Sequence, residues 1–95
     1  MRDLRVRVTH EAAALLKKFH PQNKKQIKTA IRELRQDLDS GGDLQEELFG
    51  FKSYKSKRYR IIYKINEEED VIEIYYVGHR KDVYEQFRNL LNKLR

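Results

Sequence analysis

A chain of 95 residues with 39% hydrophobic and 38% charged side chains can bury one small core and must leave much of its surface ionised. The absence of cysteine excludes disulfides, thiol catalysis and cysteine-ligated zinc, and no apolar run approaches the roughly 18 residues of a membrane span or forms a signal-peptide core. A net charge of +6 favours anionic partners, whether nucleic acid, a membrane surface or an acidic protein, and the composition fits a reducing cytoplasm.

Residues 4–8, LRVRV, alternate apolar and basic, which predicts a strand with Leu4, Val6 and Val8 on its buried face. Thr9 is placed to cap a helix that carries Glu11 in its first turn and an apolar stripe of Ala12, Leu15, Leu16 and Phe19. His20-Pro21 separates it from a second helix, whose stripe is Ile27, Ala30, Ile31, Leu34 and Leu38. Ser40-Gly41-Gly42 reads as the stop of that helix, since glycine accepts the left-handed conformation at a C-terminus. So short a joint makes the two helices a hairpin, and their stripes need a sheet to cover.

Residues 43–48 form an acidic connector, and three strands follow near 49–55, 58–65 and 71–77. Their short joints predict an antiparallel meander. In the middle strand, Tyr59, Ile61, Tyr63 and Ile65 are assigned to the core under the helices, and Arg58, Arg60, Ile62 and Lys64 to the opposite, more open face. Tyr76 shares parity with Ile72 and Ile74 and is assigned to the core with them. Gly78-His79-Arg80 breaks the third strand. Asp82 and Glu85 resemble a capping box before a last helix with an apolar side of Val83, Phe87, Leu90, Leu91 and Leu94. The expected fold is α+β: order β-α-α-β-β-β-α, one domain over 1–95, and a helical hairpin packed on a mainly antiparallel four-stranded sheet. The last helix is expected at the edge or open face of that sheet.

Charge is unevenly placed along this chain. Residues 51–64 carry Lys52, Lys55, Lys57, Arg58, Arg60 and Lys64 with no acid, interleaved with Tyr54, Tyr59 and Tyr63. Cations among aromatics suit a polyanion whose bases stack; the competing reading is a solvated edge strand whose lysines discourage unwanted pairing. Glu67, Glu68, Glu69 and Asp70 then follow in succession. Consecutive acids on an extended chain do not converge on a metal, so this block reads as a solvated turn.

Two segments, Arg58-Tyr59-Arg60-Ile61-Ile62-Tyr63 and Val77-Gly78-His79-Arg80-Lys81-Asp82-Val83-Tyr84, follow a helical hairpin at the spacing of the RelE/ParE toxin superfamily, and the chain resembles that superfamily over nearly its whole length. The resemblance implies a toxin of a type II toxin–antitoxin module, with a cognate antitoxin as partner. RelE-like members cut messenger RNA in the ribosomal A site without a metal or other cofactor. ParE-like members share the fold and poison DNA gyrase. A third alternative is a basic RNA- or protein-binding module without chemistry.

Metal-free RNA cleavage requires a base for the 2′-hydroxyl, cations around the phosphorane and an acid for the leaving 5′-oxygen. By resemblance, Arg60 and Arg80 match the arginines that RelE-like enzymes place around the scissile phosphate, and Tyr84 matches a tyrosine that stacks on a base or donates a proton. RelE-like enzymes also place two lysines on the preceding strand. Counted back from Arg60 without a gap, those positions are Phe51 and Ser53, whereas Lys52 and Lys55 lie close by. The general base is therefore open between Lys52, Lys55, His79 or none of them. Lys57, Arg58, Tyr54, Lys64 and Lys81 are expected to contact RNA, and the ribosome with bound mRNA is the expected target.

Overall fold

The structure, a computed structural model, describes residues 4–94. Its elements run β1 (Arg5–Val8), α1 (His10–Lys17), α2 (Pro21–Gln36), β2 (Gly42–Asp43), β3 (Lys52–Ser56), β4 (Tyr59–Asn66), β5 (Val71–His79) and α3 (Val83–Lys93), with 3-10 turns at Leu38–Ser40 and Glu46–Leu48. The α+β class and the order of the long elements are those expected. The sheet has five strands, in the order β1-β5-β4-β3-β2. The addition is β2, whose two residues pair with Ser53 and Lys52 of β3; a strand that short has no period for the sequence to show. β3, β4 and β5 form the antiparallel meander, and β1 lies parallel to β5 with Val6 opposite Ile72.

Local chemistry fixes the helix starts. The Thr9 hydroxyl accepts the Ala12 amide at 3.2 Å, and His20 Nδ1 accepts the Gln22 amide at 3.2 Å beside Pro21. Both satisfy donors that a helix N-terminus leaves open. At α3 the expected capping pair is not made: the Asp82 side chain bonds no helix amide, and α3 is held by packing. The glycine stop also has a different basis. α2 ends at Gln36, and Gly41 has φ of −78°, which any residue adopts. What Gly41 supplies is room, because a Cβ there would overlap the Tyr63 hydroxyl.

The sheet is covered on both faces. On one, Ala12 of α1 and Ile27, Ala30 and Leu34 of α2 pack on Leu4, Ile61, Tyr63, Ile72, Ile74 and Val77. On the other, Val83 and Phe87 of α3 pack on Phe51, Ile62 and Leu48, with the Phe87 and Phe51 rings edge to face at 4.9 Å. The assignment of Ile61 and Tyr63 to the hairpin side of β4 therefore holds. Tyr76 does not follow its expected parity. The β4–β5 register shifts between Ile62, opposite Tyr76, and Tyr63, opposite Ile74. Tyr75 is the extra residue of this bulge, so Tyr75 and Tyr76 both lie on the α3 side and Val77 returns to the hairpin side.

Truncating Phe87 to alanine should cost about 3–5 kcal/mol, the usual range for a buried aromatic, out of a total stability of about 5–15 kcal/mol. The check is native-state hydrogen exchange beside denaturant titration: amides of α3 should lose protection before those of β4 and β5. Uniform loss over the whole chain would show that α3 is not a separable layer. Burial pushes the Tyr63 hydroxyl up to about 12, with Asp43 and Asp39 adding to the shift. A raised folded value gives stability that is complete below the unfolded value near 10 and is lost as pH climbs through the folded one. Stability should therefore fall between pH 10 and 12 at up to about 1.4 kcal/mol per unit from this group. Denaturation midpoints of Tyr63→Phe should decline less steeply over that window than those of the parent.

Candidate functional site

The two-residue turn Lys57-Arg58 joins β3 to β4 and sets which side chains meet. Ser56 pairs with Tyr59, so Lys55 stands directly opposite Arg60 and Ser53 opposite Ile62, with no shift in register. Residues so paired have Cβ atoms about 4.5–5.5 Å apart on the same face. That face is the α3 side, where Ile62 is buried. Lys57 holds the turn with φ of +53°, a left-handed conformation that a lysine adopts at a cost.

Arg60 is half-buried and anchored. Its Nη1 donates to the carbonyl oxygens of Tyr59 at 2.8 Å and Lys57 at 3.1 Å. This leaves Nε and Nη2 as the donors available to an incoming anion, a fork that suits two oxygens of one phosphate. Across β5, the residue opposite Arg60 is Gly78. A Cβ at Gly78 would press on Val83 at 3.2–3.3 Å. Gly78 thus allows α3 to begin close to the sheet while adding no side chain over Arg60.

Tyr84, in the first turn of α3, extends its hydroxyl to the Ser53 hydroxyl at 2.9 Å. Ser53 is itself 9% exposed. Ser53, Lys55, Arg60 and Tyr84 line one cleft of about 500 Å³, together with Asp43, Leu44, Ser40, Gly42 and Tyr54. Lys55 is exposed and Arg60 is the deeper of the two cations. The one acid in the cleft lining, Asp43, is paired with Lys52 at 2.8 Å. A cleft of this kind presents two cations, a phenol and a serine hydroxyl to an anion.

The other candidate residues are distributed as follows. Lys52 lies opposite Tyr63 and so faces the hairpin side; its ammonium goes to Asp43 and does not join Arg60. His79 lies opposite Tyr59, again on the hairpin side, with its ring 6.1 Å from that of Tyr59 and its Nδ1 accepting the Lys81 amide. Arg80 follows β5 directly, its amide bonded to the Arg58 carbonyl at 2.7 Å. Its side chain is exposed at the same end of the sheet as Lys57, Arg58 and Lys81. Lys64 lies 4.2 Å above the Phe51 ring, toward the far end of the α3 face. Tyr54 turns to the hairpin side and donates to Glu33 at 3.2 Å; burial first, then Glu33, raises its hydroxyl above the ordinary value.

Phe51 and Ser53 do take the α3 face, as the count along the chain requires, but Phe51 is buried under Phe87 and Ser53 is bonded to Tyr84. The count along the chain passes over Lys55 because it presumes a turn length. Across the strands, Lys55 is the cation beside Arg60. Ser53, reached by the count only as a position where the family carries lysine, joins the cleft through its bond to Tyr84.

Comparison with known proteins bears on these features. No curated protein sequence matches the chain significantly. A chain in the crystal structure of the RelBE2 toxin–antitoxin complex from Mycobacterium tuberculosis is 32% identical over 81% of this chain and 98% of that one, with a TM-score of 0.73. The isolated E. coli RelE toxin is 19% identical over 94% of this chain and 99% of that one, with a TM-score of 0.68. The YoeB/ParE toxin from Agrobacterium tumefaciens is 12% identical over 81% and 99%, with a TM-score of 0.70; these last two likenesses establish the fold. Residues 6–84 match the family described as the ParE toxin of type II toxin–antitoxin systems, parDE, and the chain therefore belongs to the RelE/ParE toxins of type II toxin–antitoxin systems.

Proposed function

We propose that this toxin is a ribosome-dependent endoribonuclease that cleaves mRNA in the A site by acid/base chemistry of its own side chains. The observation that carries the reading is the register that sets Lys55 opposite Arg60, beside Tyr84, in one open cleft. Arg60, with Nη1 already engaged by the turn, offers its remaining donors to the scissile phosphate. Lys55 is the cation placed to stabilise the phosphorane, and it stands where the 2′-hydroxyl proton must be taken up. Tyr84 supplies a ring for a base to stack on and a hydroxyl at the edge of the cleft. Arg80, exposed beside Arg58, adds charge to the phosphate from the end of β5. Lys52 and His79 face the other side and take no part in the chemistry.

The cognate antitoxin is then an inhibitor that occludes this cleft, and the excess of positive charge makes an acidic segment the natural complement. The second reading is a gyrase inhibitor. It is favoured by one observation: the two positions reached by counting back from Arg60 hold Phe51 and Ser53, which are structural here.

Arg60→Ala and Arg80→Ala should each slow cleavage of ribosome-bound mRNA by about 100-fold, typical of removing one donor to the transition state, with circular dichroism unchanged. Lys55→Ala should fall with them. Lys52→Ala, which only frees Asp43, should cost less than about fivefold, the reach of one exposed ion pair. Cleavage sites mapped by primer extension, run beside a gyrase supercoiling assay, decide between the readings. Inhibited supercoiling with intact mRNA would overturn the nuclease proposal.

A further inference from the structure

β3 is longer than the strand beside it. β2 pairs only with Lys52 and Ser53, so among the described residues no strand lies beside the outer edge of β3 from Tyr54 to Ser56. α2 runs past that bare edge and leaves a groove of about 560 Å³. Gln26 bridges its floor, donating from Nε2 to the Ser56 carbonyl at 3.0 Å and to the Ser56 hydroxyl at 3.1 Å. Lys25, Lys55 and Lys57 supply cations, and Asn23 and Thr29 supply neutral hydrogen-bonding groups. The one acid in the lining, Glu33, already accepts the Tyr54 hydroxyl. Lys55 belongs to both hollows, forming the wall between this groove and the cleft that holds Arg60 and Tyr84.

We infer that this groove holds the single-stranded RNA adjoining the scissile phosphate, leading it over Lys55 and along α2. The inference rests on the nuclease reading for the position of that phosphate. Cations spaced among amides and a hydroxyl match a strand that offers one charge and several sugar and base acceptors per repeat. A peptide added to the bare edge would also find unpaired backbone groups, but it needs apolar pockets for alternate side chains. Among the described residues, Ala30 is the only apolar one lining this groove. The chemistry therefore favours RNA over an antitoxin strand.

The test is fluorescence anisotropy with single-stranded RNAs of roughly four and roughly twelve nucleotides, within the span of small single-strand sites. The intact protein is compared with Lys25→Glu and with Lys17→Glu, which makes the same change of net charge on α1, away from the groove. Lys25→Glu should weaken binding of the longer RNA by about tenfold and reduce its salt slope by about 0.7, the value of one phosphate contact on a single strand. It should leave the shorter RNA, and the parent's resistance to heat, unchanged. Lys17→Glu should leave both RNAs unchanged. Equal losses in the two variants, or no loss in either, would overturn the inference. So would loss of antitoxin binding by Lys25→Glu with RNA binding intact, which would assign the groove to a peptide. Cleavage is scored separately: selective loss of long-RNA binding in a protein that cuts nothing would support the groove and discard the nuclease.

Discussion

Ile61, Ile62 and Tyr63 of β4 are all inaccessible to solvent, so consecutive residues of one strand are buried on opposite faces. This two-sided burial is the constraint from which the architecture follows. A strand in that position cannot face water on either side, so the helical hairpin must cover one face and α3 the other. α3 covers only part of its face. It begins at Val83, just past the glycine opposite Arg60, and its buried residues Val83 and Phe87 lie over Phe51 and Ile62. The end of β4 that holds Arg60 is left uncovered. The cleft is thus the part of the second face that the last helix does not reach, and its cations are tolerable there because it is open.

Two side chains inside this opening are anchored by the fold. Arg60 is held by carbonyl groups of its own turn, and Tyr84 by a hydroxyl on the neighbouring strand. Arg60 and Tyr84 thus lose part of their rotamer freedom on folding, before any ligand arrives. Arranging donors in advance is what makes a site effective against charge that develops only during reaction. Tyr63 has an analogous place on the other face: it is completely buried, and its hydroxyl abuts Gly41 and reaches toward the Leu38 carbonyl at 3.4 Å. The chain that leaves α2 must therefore pass Tyr63 closely, which brings Gly42 and Asp43 alongside β3.

Much of this was legible in the chain. The helical stripes and the alternation in β4 specified two layers and assigned Ile61 and Tyr63 to the hairpin side, because burial repeats with the geometry of each element. Three features were not legible, each for a physical reason. The bulge at Tyr75 shifts the parity of β5, and alternation alone carries no sign of an extra residue. β2 is too short to have a pattern. The cation beside Arg60 depends on pairing across a two-residue turn, so distance along the chain left Lys52 and Lys55 both open, and only the register sets Lys55 opposite Arg60. The family motifs identified Arg60, Arg80 and Tyr84 as candidates; only the register shows which of the nearby lysines shares a cleft with two of them.

The β4–β5 hairpin also separates charge. At one end stand Lys57, Arg58, Arg80 and Lys81; at the other, the turn of Glu67, Glu68, Glu69 and Asp70, with Arg7 bridging Glu69 at 2.9 Å and Glu73 at 2.6 Å. The eight residues of β4 lie between Arg58 and Glu67, a separation of roughly 30 Å at about 3.3 Å per step. The molecule is therefore an electric dipole laid along its own strands. Near a polyanion it experiences a torque as well as an attraction, and the basic end turns inward while the acidic turn is driven outward. Screening confines this alignment to about 8 Å at physiological ionic strength. Orientation is thus settled in the last step of approach, and an anionic surface meets the basic end, beside the open cleft, first.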